Sequence, residues 1–228
     1  MPRPPQPSRL VERLVPPEPG RPSSQQDILS ELRRVILAGG APPGTPIPLE
    51  AVARLFVVSA IPVRESLKTL IGEGLVDHEP RGGYRVAELT RDELREFYVI
   101  REVLEAAALR SAVRRATAED DAAALAVHEA LGATIEAQDH RAYHRESRRF
   151  HLALLAPSRM QRLQHVYELA WNVTEPAQPM SSVEEGVMLR MHADHAAMLA
   201  AFTARDTHEL LRWSRKHYRR LERAVEGG

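Results

Sequence analysis

The sequence predicts a mainly α-helical chain in two parts: a small N-terminal unit closed by two short strands, and a larger unit built from helices alone. Three observations carry this. Apolar residues recur at three- and four-residue spacing over most of the chain. Two strand-like runs, LVDHE and YRVA, flank the turn signal PRGG. Beyond Leu89 the chain becomes rich in alanine and arginine and poor in glycine, with no alternating strand pattern. At 228 residues it is long enough to bury two cores.

Residues 1–23 are rich in proline and are expected to form a disordered tail, with LVERLV as a transient helical turn. Ser24 is placed to cap a helix reaching about Ala38, whose buried stripe is Ile28, Leu32, Val35 and Ile36. Gly39-Gly40 ends it, and APPGTPIP reads as a loop. A short helix over 49–56 turns Leu49, Val52, Ala53 and Phe56 inward. The next stretch, VSAIPVRESLKTLIGEGLV, has Ser59 as a natural N-cap and Pro62 in the first turn, where its missing N–H costs nothing. Val63, Leu67, Leu70 and Ile71 form its buried stripe, while Ala60, Arg64 and Lys68 lie four apart on the opposite side. Gly74 fits a left-handed C-terminal cap. Strands over 75–79 and 84–87, joined by Pro80-Arg81-Gly82-Gly83, complete the unit. Three helices followed by a two-stranded wing is the layout of a winged helix-turn-helix, here spanning 24–88.

In the second part, 89–228, helices are expected at about 91–116, 119–138, 140–156, 159–174, 182–204 and 206–226. The breaks fall at Asp139-His140, Pro157-Ser158, the run NVTEPAQPMSS and Arg205-Asp206. Such a pattern describes an antiparallel all-α bundle of about six helices.

Net charge is +0, so the chain as a whole gives no sign of a polyanionic partner. Residues 1–86 hold 11 Lys and Arg against 9 Asp and Glu, and the remainder 20 against 22, a weak asymmetry. Cysteine is absent, which excludes disulfides, cysteine zinc sites and thiol catalysis. No apolar span or signal-peptide core occurs, and a cytoplasmic protein with no membrane partner is expected. Glycine-rich phosphate loops and dinucleotide fingerprints are missing too.

PVRESLKTLIGEGLV followed by PRGGYRV resembles the DNA-binding domain of GntR-type bacterial transcription regulators. LREFYVIREVLEAAALRSA (94–112), RRFHLALLA (148–156), and HAAMLAAFTARD with RKHY (195–218) resemble the ligand-binding domain of their FadR-like subgroup, the FCD domain. The resemblance implies a homodimeric, effector-responsive regulator, most often a repressor, that reads a palindromic operator and is no enzyme. A recognition helix enters the major groove with its N-terminal residues at base edges. On that scheme Ser59 offers its hydroxyl to a phosphate or simply caps the helix, Arg64 reaches a guanine, and Lys68 meets the backbone or stays solvated. Arg81 at the wing tip enters or flanks the minor groove. Three positions depart from the family pattern. Ala60 and Ile61 stand where an arginine and a threonine are usual, and Val57 replaces the glycine of the turn. Ala60 and Ile61 remain able to touch thymine methyls, and altered or weaker DNA binding is expected.

Many members of the subgroup hold a divalent metal in the bundle. The matching positions are Ser147, His151, His195 and His217, which implies a zinc, nickel or manganese site of three imidazoles, with Ser147 where an acidic ligand is usual. His144, one turn back, is placed to compensate. The alternative is three pocket histidines without metal. His78, His128, His140, His165, His192 and His208 show no convergent pattern and read as surface or incidental. Arg101 falls where relatives turn an arginine into the cavity. It either meets an acidic, organic-acid effector or forms a buried ion pair with Glu105 or Glu102. Two other readings stay open: a sensor whose DNA binding has degraded, motivated by Ala60 and Val57, and a metal-dependent hydrolase, for which no general base adjoins the histidines.

Overall fold

The computed structural model describes residues 10–18, 23–176 and 185–226. The chain divides into two compact units, a first of 1–89 with 172–177 and a second of the remainder.

In the first unit α1 (Gln25–Leu37) starts in a capping box, Ser24 accepting from the Asp27 amide while Asp27 accepts from that of Ser24. α2 is Leu49–Phe56 and α3 Ala60–Gly72. Their apolar faces meet in one core of Ile28, Leu32, Val52, Phe56, Val63 and Leu67. Two polar contacts fix α3 against α1. The buried Ser66 hydroxyl lies within hydrogen-bond distance of the Gln25 and Pro62 carbonyls, and Arg33 grips Glu73 with two N–H groups. Ile71, expected in the buried stripe, is 38% exposed; Ser66 takes the inward position instead. Gly74 closes α3 at φ +72°, and Leu75 N–H donates back to the Leu70 carbonyl.

The wing has three strands rather than two. β1 (Pro46–Ile47) pairs antiparallel with β3 (Gly83–Val86), which pairs with β2 (Val76–Glu79), in the order β1-β3-β2. β1 comes from the run read as loop. Ile47 drives it by burying its side chain in the core, and Pro46, which has no N–H to donate, is tolerated because β1 is an edge strand.

The expectation of a disordered tail fails for 10–18. A 3-10 turn at Val11–Arg13 drops Leu10 and Leu14 into the first core. Val15 N–H donates to Glu31, and Arg34 donates to the Arg13 carbonyl. LVERLV carries enough on its two leucines, about 1.5–3 kcal/mol each when fully buried, to dock. Residues 1–9 and 19–22 of that expected tail lie outside the described residues.

In the second unit the described residues form six helices, as expected: α4 (Arg91–Val113), α5 (Ala118–Glu136), α6 (His140–Leu155), α7 (Gln161–Thr174), α8 (Glu185–Thr203) and α9 (Thr207–Glu226). The expected start of α8 at 182, and most of the loop before it, fall outside the described residues. Capping boxes at Thr90 and Thr117 begin α4 and α5. α5 packs along α6, and α9 along both α8 and α4. The α8–α9 elbow is held by Arg205, in left-handed conformation, which donates to Asp121 and to the Phe202 and Ala116 carbonyls. None of the described helices is long and apolar enough to cross a membrane.

Five described non-glycine residues have positive φ, and Val57 is the β-branched one among them. Val57 links α2 to α3 at φ 55°, ψ 48°, the left-handed region, and its side chain is 90% exposed. A β-branched residue there costs roughly 1–2 kcal/mol, with no packing return. Val57→Gly is expected to raise unfolding stability by about 1 kcal/mol in urea titrations; an unchanged midpoint would show that the turn carries no such strain.

Candidate functional site

Two places gather the candidate residues, one on each unit. On the first, Ile61, Arg64 and Lys68 follow one another at three- and four-residue spacing along the outer face of α3, all exposed. Arg64 has no ion pair among the described residues. Lys68 is paired to Glu65 at 2.8 Å on the surface, a contact weak enough to exchange for a phosphate. Ala60 is half-exposed beside them. Ser59 has the extended N-cap backbone but makes no side-chain cap hydrogen bond, contrary to its expected capping role. The first-turn amides of α3, of which Pro62 has none, therefore have no serine oxygen upon them. Arg81 sits at the tip of the β2–β3 turn, exposed, at φ 70°.

On the second unit, α6, α8 and α9 each turn a histidine to the same interior point. His151, His195 and His217 are buried, with ring centroids 5.2, 5.1 and 4.4 Å apart. One ligand atom from each lies within 4.8 Å of the others. Both ring nitrogens of His195, Nε2 of His151 and Nδ1 of His217 are buried without a hydrogen-bond partner. Buried polar atoms without partners are costly, and three imidazoles in this state form a donor set that fits a divalent metal. Burial, and then the neighbouring imidazoles, hold His195 and His217 well below the usual histidine range. Both are thus neutral, the ligand form, to lower pH than the ordinary value of about 6.5 suggests.

Behind the triad stands Glu105 of α4, fully buried, a residue that sequence reasoning assigned only to an ion pair with Arg101. Its Oε2 lies 2.8 Å from His151 Nδ1, in an approach too poorly aligned for an N–H hydrogen bond but close enough for a charge contact. Tyr167, Tyr218 and Ser214 lie within hydrogen-bond distance of its two oxygens, at 2.7, 2.9 and 2.9 Å. Burial alone would raise this carboxyl; the His151 ring and the two tyrosine hydroxyls outweigh it and bring it down to about 2. A carboxylate behind a ligating histidine fixes the ring and raises its basicity.

Arg101 is 2% exposed, and its guanidinium carbon lies 3.3 Å from the Trp171 ring centroid. No carboxylate is in ion-pair contact with it among the described residues, though the charge of Glu105 acts on it from a distance. Glu102 faces Arg215 instead, at 3.6 Å, and Glu105 is taken up as above. Of the two expectations for Arg101, no ion pair with Glu102 or Glu105 forms among the described residues, and its side chain lines a cavity. Ser147 lies one turn before His151, lining with Arg101, His144, Trp171 and His217 a cavity of about 20 Å³, room for roughly one water. His144 lines that cavity and does not join the triad, so the expected compensation is absent. Nor are His128 and His192 incidental: they stack at 4.3 Å between α5 and α8, with His128 against Phe150.

Two consequences are measurable. Glu105→Ala removes the carboxylate beside His151 and takes the acceptor from the Tyr167, Tyr218 and Ser214 hydroxyls, and is expected to cost about 3–5 kcal/mol of stability in urea unfolding; a loss below about 1 kcal/mol would deny the carboxylate its central role. In metal-free protein, acid should act in two windows. His195 and His217 stay neutral when folded but gain protons when unfolded, so stability falls as pH drops below about 6.5. Glu105, ionised when folded, adds a second loss from about pH 4.5 down towards 2. Unfolding midpoints flat from pH 7 to 5 would contradict the first window.

Comparison with known proteins places both units. The family model described as "Bacterial regulatory proteins, gntR family" matches residues 24–86, and the FCD domain model matches 96–220, more than half of the chain. The HTH-type transcriptional regulator BphR of Paraburkholderia xenovorans (strain LB400) is 24% identical over 192 residues, 82% of this chain and 78% of that protein. The HTH-type transcriptional repressor RspR of Escherichia coli (strain K12) is 35% identical over 99 residues, 43% of each chain. Among solved structures, E. coli McbR/YncC superposes with TM-score 0.78 at 23% identity, over 90% of this chain and 98% of that one. A GntR-type regulator from Rhodococcus sp. RHA1 gives TM-score 0.79 at 19% identity, with the same coverage. These relatives are transcription regulators, not enzymes, and the chain belongs to the GntR family of bacterial regulatory proteins, as a DNA-binding regulator with an FCD domain.

Proposed function

We propose that the chain is a homodimeric cytoplasmic repressor that binds a palindromic operator through α3 and is released by a small organic acid held in the helical unit. The observation that carries the effector reading is Arg101: a buried guanidinium, stacked on Trp171, with no carboxylate in ion-pair contact among the described residues, Glu105 acting on it only from a distance. A charge so placed is costly unless something anionic completes it, and a ligand carboxylate accepts its forked N–H groups. With room for about one water beside Ser147, the acid enters only if the pocket opens. Its binding therefore selects an expanded state of the bundle, which is how a ligand shifts a population. Two recognition helices, one per protomer, supply the contacts that a single winged helix lacks.

His151, His195 and His217 would hold a divalent metal, zinc, nickel or manganese, which would present a Lewis-acidic face to the effector carboxylate. Glu105 then orients His151. Elemental analysis of protein purified without chelator or immobilised nickel should find close to one metal per chain, lost in His195→Ala. Ser147→Asp, adding a carboxylate one turn from His151, should tighten retention. Absence of metal, together with no rise in melting temperature on adding zinc, nickel or manganese, would leave three pocket histidines that meet the effector directly.

On the DNA side, Ser59, Arg64, Lys68 and Arg81 carry the phosphate and base contacts, with Ala60 and Ile61 against thymine methyls. Gel shifts on DNA from upstream of the gene should show Arg64→Ala weakening operator binding by about 1–3 kcal/mol and relaxing preference at one base pair. Ala60→Arg should strengthen it by adding a phosphate or guanine contact at the helix N-terminus. If neither substitution moves the affinity, α3 is not the reader. Failure of the parent protein to bind that DNA at all would favour the second reading, a sensor with degraded DNA binding, to which Ala60 and the strained Val57 point.

A further inference from the structure

The Arg64 face, the Arg101 cavity and the triad leave a large concave surface of the second unit without a role. It is a groove of about 770 Å³ between α8 and α9, within the usual range of roughly 300–1,000 Å³ for small-molecule sites. Its walls are cationic: Arg190 from α8 and, from α9, Arg212, Arg215, Lys216, Arg219 and Arg223. Among the described residues no carboxylate lines it. Val187, Leu211 and Ala224 supply apolar floor.

Nearby acids answer only part of this charge. Glu209 pairs with Arg212, Glu102 faces Arg215 at 3.6 Å, and the buried Asp194 takes Arg220 at 2.7 Å and Lys216 at 3.8 Å. Glu222, on the same helix, acts on Tyr98 and Glu102 instead. Arg190, Arg219 and Arg223 have no ion pair among the described residues, though Glu102 acts on Arg219 from a distance. Along α9 the cations fall at 212, 216, 219 and 223, a single stripe at helical spacing. Arg212 and Lys216 lie over the Trp213 ring at 4.7 and 4.0 Å, which holds two of them extended.

We propose that this groove binds a compact polyphosphate, inorganic or as a nucleoside polyphosphate, at a site separate from the histidine triad and from α3. Concentrated like charge raises the local potential and draws a multivalent anion. Cations on two facing walls surround a compact anion, whereas a duplex backbone asks for a flat or convex stripe. Arginine is the side chain suited to phosphate oxygens.

The test is titration calorimetry of the full-length chain with inorganic tripolyphosphate at low ionic strength. Binding is expected, weakening with salt. Arg219→Gln/Arg223→Gln should lower the affinity by about tenfold or more, the scale of losing two charge-assisted contacts. Arg219→Lys/Arg223→Lys should keep most of it, and Arg64→Ala all of it. ATP binding more tightly than tripolyphosphate assigns the apolar floor to a nucleoside; equal or weaker binding assigns the site to the inorganic chain. The proposal is overturned by no binding, by binding that survives the Gln pair, or by binding lost instead in Arg64→Ala. It is equally overturned if random-sequence duplex, and not tripolyphosphate, loses binding in the Gln pair, since the groove would then serve nucleic acid. None of these readouts depends on operator recognition, which Arg64→Ala measures separately.

Discussion

The carboxylate of Glu105 is the point on which the helical unit is organised. From α4 it reaches His151 on α6, Tyr167 on α7, and Ser214 and Tyr218 on α9. Four helices thus converge on one buried charge, and an apolar core alone would not select that convergence. Hydrophobic packing brings helices together with tolerance for sliding. A buried ion accepts only the arrangement that satisfies it, since any other strands a charge away from water. The triad inherits its geometry from this constraint. His151 is held from behind by Glu105, while His195 and His217 arrive on α8 and α9, which pack along each other. The chemistry of the candidate site and the stability of the bundle therefore rest on the same atoms.

The N-terminal unit solves a different problem, presenting one helix face while burying the other. Ser66 and Arg33 tie α3 to α1 by polar contacts at the middle and the C-terminal end of α3, so the outer face is left to exposed Ile61, Arg64 and Lys68. The cost is concentrated in the α2–α3 turn. Val57 adopts a backbone suited to glycine because the core on either side, Phe56 and Val63, over-determines where the two helices go. Strain at that point, on the exposed side of the unit, is local and leaves the packing intact.

Most of this architecture was legible from sequence because it is local. The capping residue Ser24, the glycine at 74 and the three-to-four periodicity each act within a few residues of themselves. Convergence of the three histidines was legible only through the family resemblance. What was missed is non-local. β1 exists because Ile47 finds a core and β3 an open edge, neither visible in APPGTPIP. Leu10 and Leu14 dock because a groove made by distant helices accepts them, although proline-rich flanks hid their pairing. Ser59 looked like a cap because its backbone place was right, while the rotamer that decides the bond is invisible in sequence. Glu105 and Arg101, four apart on α4, invited an ion pair. The fold instead turned one to a histidine and two tyrosines, and the other to Trp171.

Charge shows the same limit in another form. A net charge of +0 over the chain carries no signal for a polyanion, yet it is an average over surfaces that do not share a field. Screening confines each charge to about 10 Å at ordinary salt, so what an approaching ion meets is the local set, not the total. On α9 the acids are fewer than the cations: Glu209 heads the arginine stripe and is paired with Arg212, while Glu222 sits on another face. Asp194 is buried beneath Arg220 and offers little to solvent. The cations line a concavity, where low-dielectric walls focus their field outward. Neutral overall composition and a strongly electropositive groove are therefore compatible, because folding sorts charges by helical face while composition only counts them.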